Sequence, residues 1–339
     1  MRSERLQLGF IALNDAAPLI VAQARGYFAE EGLRVDLVRE VSWATVRDKV
    51  DVGALDGAHM LAPMALATGG PGGLTPLVAP FAMNLNGPAV TFASRLAANM
   101  GGLLNAEALK RLVARRREQG TSPITLAVVF PLSTHNYLLR RWLSRAGVDP
   151  DHDVRLTVVP PSRTAELLAE GVIEGVCVGE PWGAAAVAAS VGVTAVRASE
   201  YWPRAPDKVF ALTAARAAAD PAQMQALLRS LLRGAAWTDA KSNRAELAAL
   251  MAEPRHLGVP AQVIEASLAD IVFHAEAANA PQPAHAQWLI GQMKRWGHLT
   301  ADTPAAELAA QVYRWDLYAE AAAGVGLAAT PRLAAFGGL

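Results

Sequence analysis

Apolar runs of strand length alternate with helix-like segments in two successive series, and this alternation constrains the fold more than any other feature of the chain. Residues 6–13 form an apolar run suited to an inner strand, 17–25 a helix, and 33–38 an alternating strand. Residues 43–50 read as a helix with Ser42 as its N-cap. Residues 57–68 read as a further helix, kinked or started near Pro63, and 77–81 and 89–93 as strands. A second series follows Ser94: helix 103–118, strand 124–130, helix 133–146, strand 154–159, helix 162–170, strand 175–178, helix 181–191 and strand 193–196. From about Ala198 the pattern is mostly helical through Tyr318. Alternation of this kind predicts α/β units on largely parallel sheets. At 339 residues the chain also exceeds what one hydrophobic core tends to serve. The expected architecture is two α/β lobes, with 1–93 and 197–339 forming a discontinuous first lobe and 94–196 the second. Two crossings then act as a hinge, and a ligand cleft lies between the lobes.

Charge and cysteine content narrow the function. Lys plus Arg and Asp plus Glu are 31 each, so the basic excess typical of a nucleic-acid binder is missing. The densest basic cluster, Arg111 with Arg115, Arg116 and Arg117, reads as the wet face of one helix. One cysteine, Cys177, permits no internal disulfide, and its apolar setting in VIEGVCVGE reads as a plain core thiol. The N-terminal MRSER runs into a short apolar stretch that ends at Asn14 and Asp15, which reads as a first strand rather than a secretory leader. The longest uncharged span, 57–94, is broken by prolines and glycines and cannot be a membrane helix. A cytoplasmic protein is the expectation.

Enzyme chemistry finds little support. The seven histidines show no HExxH or Cys-paired spacing, so no metal site or cofactor is expected, and most of them read as surface residues. TGGPGGL carries a proline and lacks a following Lys-Ser/Thr, so it reads as a loop rather than a phosphate cradle. Anion chemistry does better. FPLSTHNYLLRRWL puts Ser133, Thr134, His135 and Asn136 at a helix start after a strand, where free N–H groups and the helix dipole favour an anion. The alternative is that Ser133 and Asn136 merely cap the helix and His135 is exposed. In CVGEPWG, Gly179 allows close backbone approach, while Glu180 and Trp182 fit structural roles equally well. Lys208, in APDKVFAL, is a lone cation before an apolar run.

Taken together, these segments resemble the nitrate- and bicarbonate-binding proteins of ABC transporters and their cytoplasmic nitrate-sensing relatives. The resemblance is carried by GFIALNDAAPLIVAQARGYFAEEGL, SWATVRDKVDVGALDGAHMLAPM, MNLNGPAVT, FPLSTHNYLLRRWL, VVPPSRTAELLAEGVIEGVCVGEPWG and YWPRAPDKVFAL. It covers residues 6–212 well and the C-terminal helices more loosely. It implies a type II periplasmic-binding-protein-like fold and a ligand set of Trp43, His135, Gly179 and Lys208, with no metal. One departure is Pro88, which stands where many members place Gln or Asn and supplies neither a side-chain amide nor an N–H.

Nitrate is a planar monoanion without a proton to donate, so its site needs donors, an apolar or aromatic wall and one compensating charge. The four residues supply these. Bicarbonate donates an O–H and suits an acidic acceptor, in that branch together with calcium; a lysine at 208 argues against it. The leading expectation is a cytoplasmic nitrate/nitrite sensor that controls an antitermination regulator. The alternatives are the substrate-binding component of a nitrate or bicarbonate ABC transporter and an enzyme on the same fold, such as a thiamine-pyrimidine synthase.

Overall fold

The computed structural model describes residues 5–68 and 75–327, and within them two five-stranded sheets organise the chain. The strands are β1 (Arg5–Ile11), β2 (Arg34–Glu40), β3 (Gly57–Leu61), β4 (Leu77–Ala82), β5 (Pro88–Ala93), β6 (Ile124–Val128), β7 (Val154–Val158), β8 (Gly175–Gly179), β9 (Gly192–Arg197) and β10 (Lys208–Thr213). The first sheet has the order β2-β1-β3-β10-β4 and the second β7-β6-β8-β5-β9. Both orders follow one plan. Three parallel strands are joined by an antiparallel strand that borders a fifth. In each sheet that antiparallel strand follows a crossing between lobes: β5 follows the first, β10 the second. The sheets are therefore mixed rather than largely parallel, and they repeat a plan that the sequence itself does not reveal.

The strand at 88–93 hydrogen-bonds to β8 and β9, so it belongs to the second sheet. The first crossing thus falls ahead of Pro88, not after Ala93 as the expected boundary has it. Asn86 and Gly87 make the turn there, with φ of 63° and 106°, conformations that Asn tolerates and Gly adopts freely.

A second correction concerns 57–68. The segment is a strand, Gly57–Leu61, followed by a helix, Ala62–Ala67. Each residue of β3 is buried, with β1 and β10 along its edges and the helices Trp43–Asp51 and Ala62–Ala67 packed on it. A strand covered on both faces shows no alternation to read. The GGPGGL part of the glycine-rich loop lies outside the described residues.

The remaining elements follow their local chemistry. Ser42 caps the helix Trp43–Asp51 by accepting from Thr45 N–H, and Asp220 caps the long helix Pro221–Asp239, whose Pro221 sits at a favoured first position. Leu227, Leu228 and Leu231 of that helix are buried in the core that takes in Leu8, Leu19 and Phe210 from the first lobe. Full burial of each such side chain contributes about 1.5–3 kcal/mol. The helix Pro283–Arg295 packs on Ala62–Ala67 and carries Trp288 to Trp202, with ring centroids 3.9 Å apart. Just beyond it, His298 Nδ1 lies 2.7 Å from Tyr137 Oη of the second lobe.

Candidate functional site

The C-terminal ends of β1 and β3 in one sheet and of β6 and β8 in the other face the cleft between the lobes, the edge where α/β sheets place ligands. β10 is antiparallel, so its first residue, Lys208, lies at the same edge, opposite Leu61. The two lobes touch here. Asn14 N–H donates to Glu180 O at 2.8 Å, and Trp182 Nε1–H donates to Ala12 O at 2.7 Å.

The structure brings the four expected residues together. Lys208 Nζ lies 3.2 Å from His135 Nε2 and 5.7 Å from the centre of the Trp43 indole ring. Gly179 closes the third side. A Cβ on it would stand 3.6 Å from His135 Cε1, 3.5 Å from Asp15 Oδ2 and 3.2 Å from Leu13 Cδ2, so a side chain there would fill the site. Trp43, His135 and Lys208 are each 2% exposed or less. His135 is thus buried rather than exposed. Ser133 and Asn136 take the capping role: Ser133 Oγ accepts from Asn136 N–H, and the Asn136 amide donates to Pro131 O while accepting from Arg140 Nε.

Three residues absent from the expected set complete the cluster. Asp207 Oδ2 lies 2.5 Å and Asp15 Oδ2 3.0 Å from Lys208 Nζ. His59 Nε2 lies 2.7 Å from Asp15 Oδ1, at ion-pair distance though poorly aligned for a hydrogen bond, and its ring meets Trp43 edge-on at 5.4 Å. All three are buried. Lys208 is therefore not the lone compensating charge expected from the sequence, because two carboxylates already face it. Asp15 carried a signal, being the one charged residue in LNDAAPL, and Asp207 is the neighbour of Lys208. His59 was hidden by the helical reading of 57–68.

The electrostatics follow. Burial works to raise the Asp15 carboxyl, but the charge of Lys208 and the neighbouring His59 ring outweigh it and hold the group far below the usual carboxylate range. Burial likewise opposes ionisation of Asp207, and Lys208 with His135 pulls it below its ordinary value. Burial would lower Lys208, yet the two carboxylates raise it. Burial and then Lys208 lower His135 against the pull of Asp207 and Asp15. At neutral pH the cluster thus holds two carboxylates, one ammonium and a neutral His135. The ammonium can only donate, so with Lys208 against Nε2 the neutral ring carries its proton on Nδ1. That Nδ1, like Trp43 Nε1, is buried with no hydrogen-bond partner among the described residues.

Beside the cluster a cavity of about 360 Å³ opens between the lobes, lined among others by Pro88, Glu180, Arg197, Ser267 and Asp270. Pro88 pairs with Gly179 across the strands and so borders both spaces. Arg197 Nε and Asp270 Oδ2, from opposite lobes, meet at 2.9 Å. Four of the seven histidines, His59, His135, His256 and His285, are buried, contrary to the surface reading. Among the described residues no group of three His, Cys, Asp or Glu is placed to hold a metal ion, and no helix is long and apolar enough to cross a membrane.

Two lobes of matching strand order around an interlobe polar cluster define the class: a ligand-binding fold of the periplasmic-binding-protein type. The chain belongs to the NMT1-like family, whose model matches residues 1–252. It superposes on the crystal structure of the periplasmic nitrate-binding protein NrtA from Synechocystis PCC 6803 with a TM-score of 0.89 and 30% identity, over 95% of this chain and 89% of that one. The nitrate import ATP-binding protein NrtC of Synechocystis is 34% identical over 336 residues, 93% of this chain and 49% of the relative. The bicarbonate transport ATP-binding protein CmpC of Synechococcus elongatus is 33% identical over 334 residues, 95% of this chain and 50% of the relative. The chain thus spans about half the length of these two relatives. The resemblance read from the motifs holds along nearly the whole chain.

Proposed function

We propose that the cluster binds a small monoanion, nitrate or nitrite, between the lobes, and that the chain serves as the substrate-binding component of a nitrate transport system. One observation carries the binding reading. Two buried donors on side chains that adjoin Lys208, Trp43 Nε1–H and His135 Nδ1–H, have no acceptor among the described residues, and buried donors are costly to leave unmatched. Nitrate offers acceptors in one plane and needs no acceptor from the protein.

Asp15 and Asp207 favour a second ligand. They place carboxylate oxygens beside Lys208, which suits the O–H of bicarbonate, the ion in the name of one relative. The same carboxylates disfavour a dianion. Calorimetry with nitrate, nitrite, bicarbonate and sulfate separates these cases. Saturable binding of nitrate or nitrite is expected; binding of bicarbonate alone moves the assignment to the second ligand, and binding of sulfate alone removes the charge argument.

Two of the relatives named above are import or transport proteins by name and the third is a periplasmic nitrate-binding protein, and this favours the transport receptor over the cytoplasmic sensor. The sensor reading keeps its own test. A complex with an antitermination protein, formed without nitrate and dissolved by it, would restore that reading.

A further inference from the structure

The cluster that would take the anion is already charged. Asp15 and Asp207 bring two negative charges against one positive charge on Lys208, and all three side chains are 2% exposed or less. A monoanion added to this arrangement would leave two uncompensated negative charges in a dry interior, where an unpaired charge is strongly disfavoured. Resting on the anion-binding reading above, we infer that the anion enters together with one proton and that His135 carries it.

The hydrogen bonding separates the two histidines. His59 Nδ1 faces Ile11 N–H at 3.4 Å and can only accept from it, while Nε2 points to Asp15 at 2.7 Å. Both ring nitrogens of His59 thus already face protein groups. His135 has no such obstacle. Its Nε2 lies 3.3 Å from Asp207 Oδ1 and 3.4 Å from Oδ2, while Nδ1 has no partner among the described residues. The doubly protonated ring can donate Nε2–H to Asp207 and Nδ1–H to the anion at once, and Lys208 is then released to face Asp15 and the anion.

Every neighbouring element bears on this ring. The start of β10 contributes Lys208, which opposes the proton, and Asp207 just before it, which favours it; Asp15, after β1, also favours it. His59 on β3 acts through Asp15. On β8, the Cys177 thiol is pushed far up by burial and stays neutral. Tyr313, near Asp207, likewise stays protonated. On the ring's own helix Arg140 is engaged by Asp151, and Arg141 lies towards Arg145, Arg295 and Tyr201. Glu180, next to Gly179, is raised by burial to about 7 and so also changes charge near neutrality.

Linkage gives the sign. An anion that makes the protonated ring favourable must bind more weakly as protons become scarce. Nitrate titration of the wild-type protein by calorimetry, in buffers of differing ionisation enthalpy between pH 6.5 and 8, should show close to one proton taken up per nitrate. Over the same range Kd should weaken about tenfold per pH unit. Nitrate binding with buffer-independent heat and a flat Kd would overturn coupled uptake while leaving the anion site intact. Absence of nitrate binding in every buffer would instead remove the functional reading, and this inference with it. His135→Gln should abolish the proton uptake and Glu180→Gln should retain it; the reverse pattern would overturn the assignment to His135.

Discussion

His135 of the second lobe sets its Nε2 3.2 Å from the ammonium of Lys208 on the first. No other site residue of the second lobe reaches across the cleft to the lysine in this way, so opening the hinge separates these two groups and splits the cluster. A ligand that bridges them favours the closed form by its differential affinity for it. Saturating nitrate should therefore shift the population toward a more compact shape by small-angle scattering. It should also raise the melting temperature, by about 2.7 kcal/mol of added stability at a hundredfold excess over Kd. Melting curves identical with and without nitrate would mean that nitrate does not bind the folded chain, and a raised melting temperature with an unchanged scattering profile would place the ligand away from the cleft.

Lys208 also holds the fold together. Lys208→Met leaves Asp15 and Asp207 as buried carboxylates without their ammonium, which should cost roughly 3–5 kcal/mol at pH 7. The pH response should change sign. In the wild type both carboxyls titrate below their ordinary value, so their contribution is present above about pH 3.9 and is lost as pH falls below it. In the variant burial dominates and raises them, so stability should increase as pH is lowered from 7 to 5. Urea melts at the two pH values test this. A variant as stable as the wild type at pH 7 would mean that the pairs with Lys208 contribute nothing net.

Glu180 gives a separate pH dependence. Its carboxyl is raised by burial from 4.5 to about 7, against the hydrogen bond it accepts from Ala184 N–H. The folded protein then holds a proton that the unfolded chain has released between those values, so stability falls as pH rises from about 4.5 to 7. The span corresponds to a loss on the order of 3 kcal/mol. Glu180→Gln keeps an acceptor for Ala184 and removes the titration. It should therefore melt higher than the wild type at pH 8 and close to it at pH 5; equal melting temperatures at both pH values would show that Glu180 is ionised without cost.

The sequence made the strands with one exposed face or a clear apolar run legible, and position alone drew attention to His135, Gly179 and Lys208, while Trp43 entered only through the family resemblance. Trp43 follows the Ser42 cap, His135 lies in the first turn of a helix, Gly179 ends a strand and Lys208 begins one. What stayed hidden sits inside the sheet or depends on pairing between distant segments. Buried on both faces, β3 showed no period and took His59 out of view. Membership of β5 in the second sheet depends on partners 175–179 and 192–197, which local patterning does not report. The same holds for charge. Only the fold brings Asp15 onto Lys208, and with it the difference between a free cation and a neutralised one.

Trp43 offers the most direct check of the donor argument. Its Nε1–H has no acceptor among the described residues, and the indole is 2% exposed. Trp43→Phe keeps an aromatic wall for Lys208 and removes only that donor and part of one ring. The lost volume should cost about 1–2 kcal/mol of stability, within the range for shortening a buried side chain. The lost hydrogen bond to a charged ligand should cost about 1.5 kcal/mol of binding, or close to tenfold in Kd. The two effects are separable because calorimetry on the folded variant reads only the second. A nitrate Kd unchanged in a folded Trp43→Phe protein would show that the indole N–H does not face the anion, and the donor set would then rest on His135 and Lys208 alone.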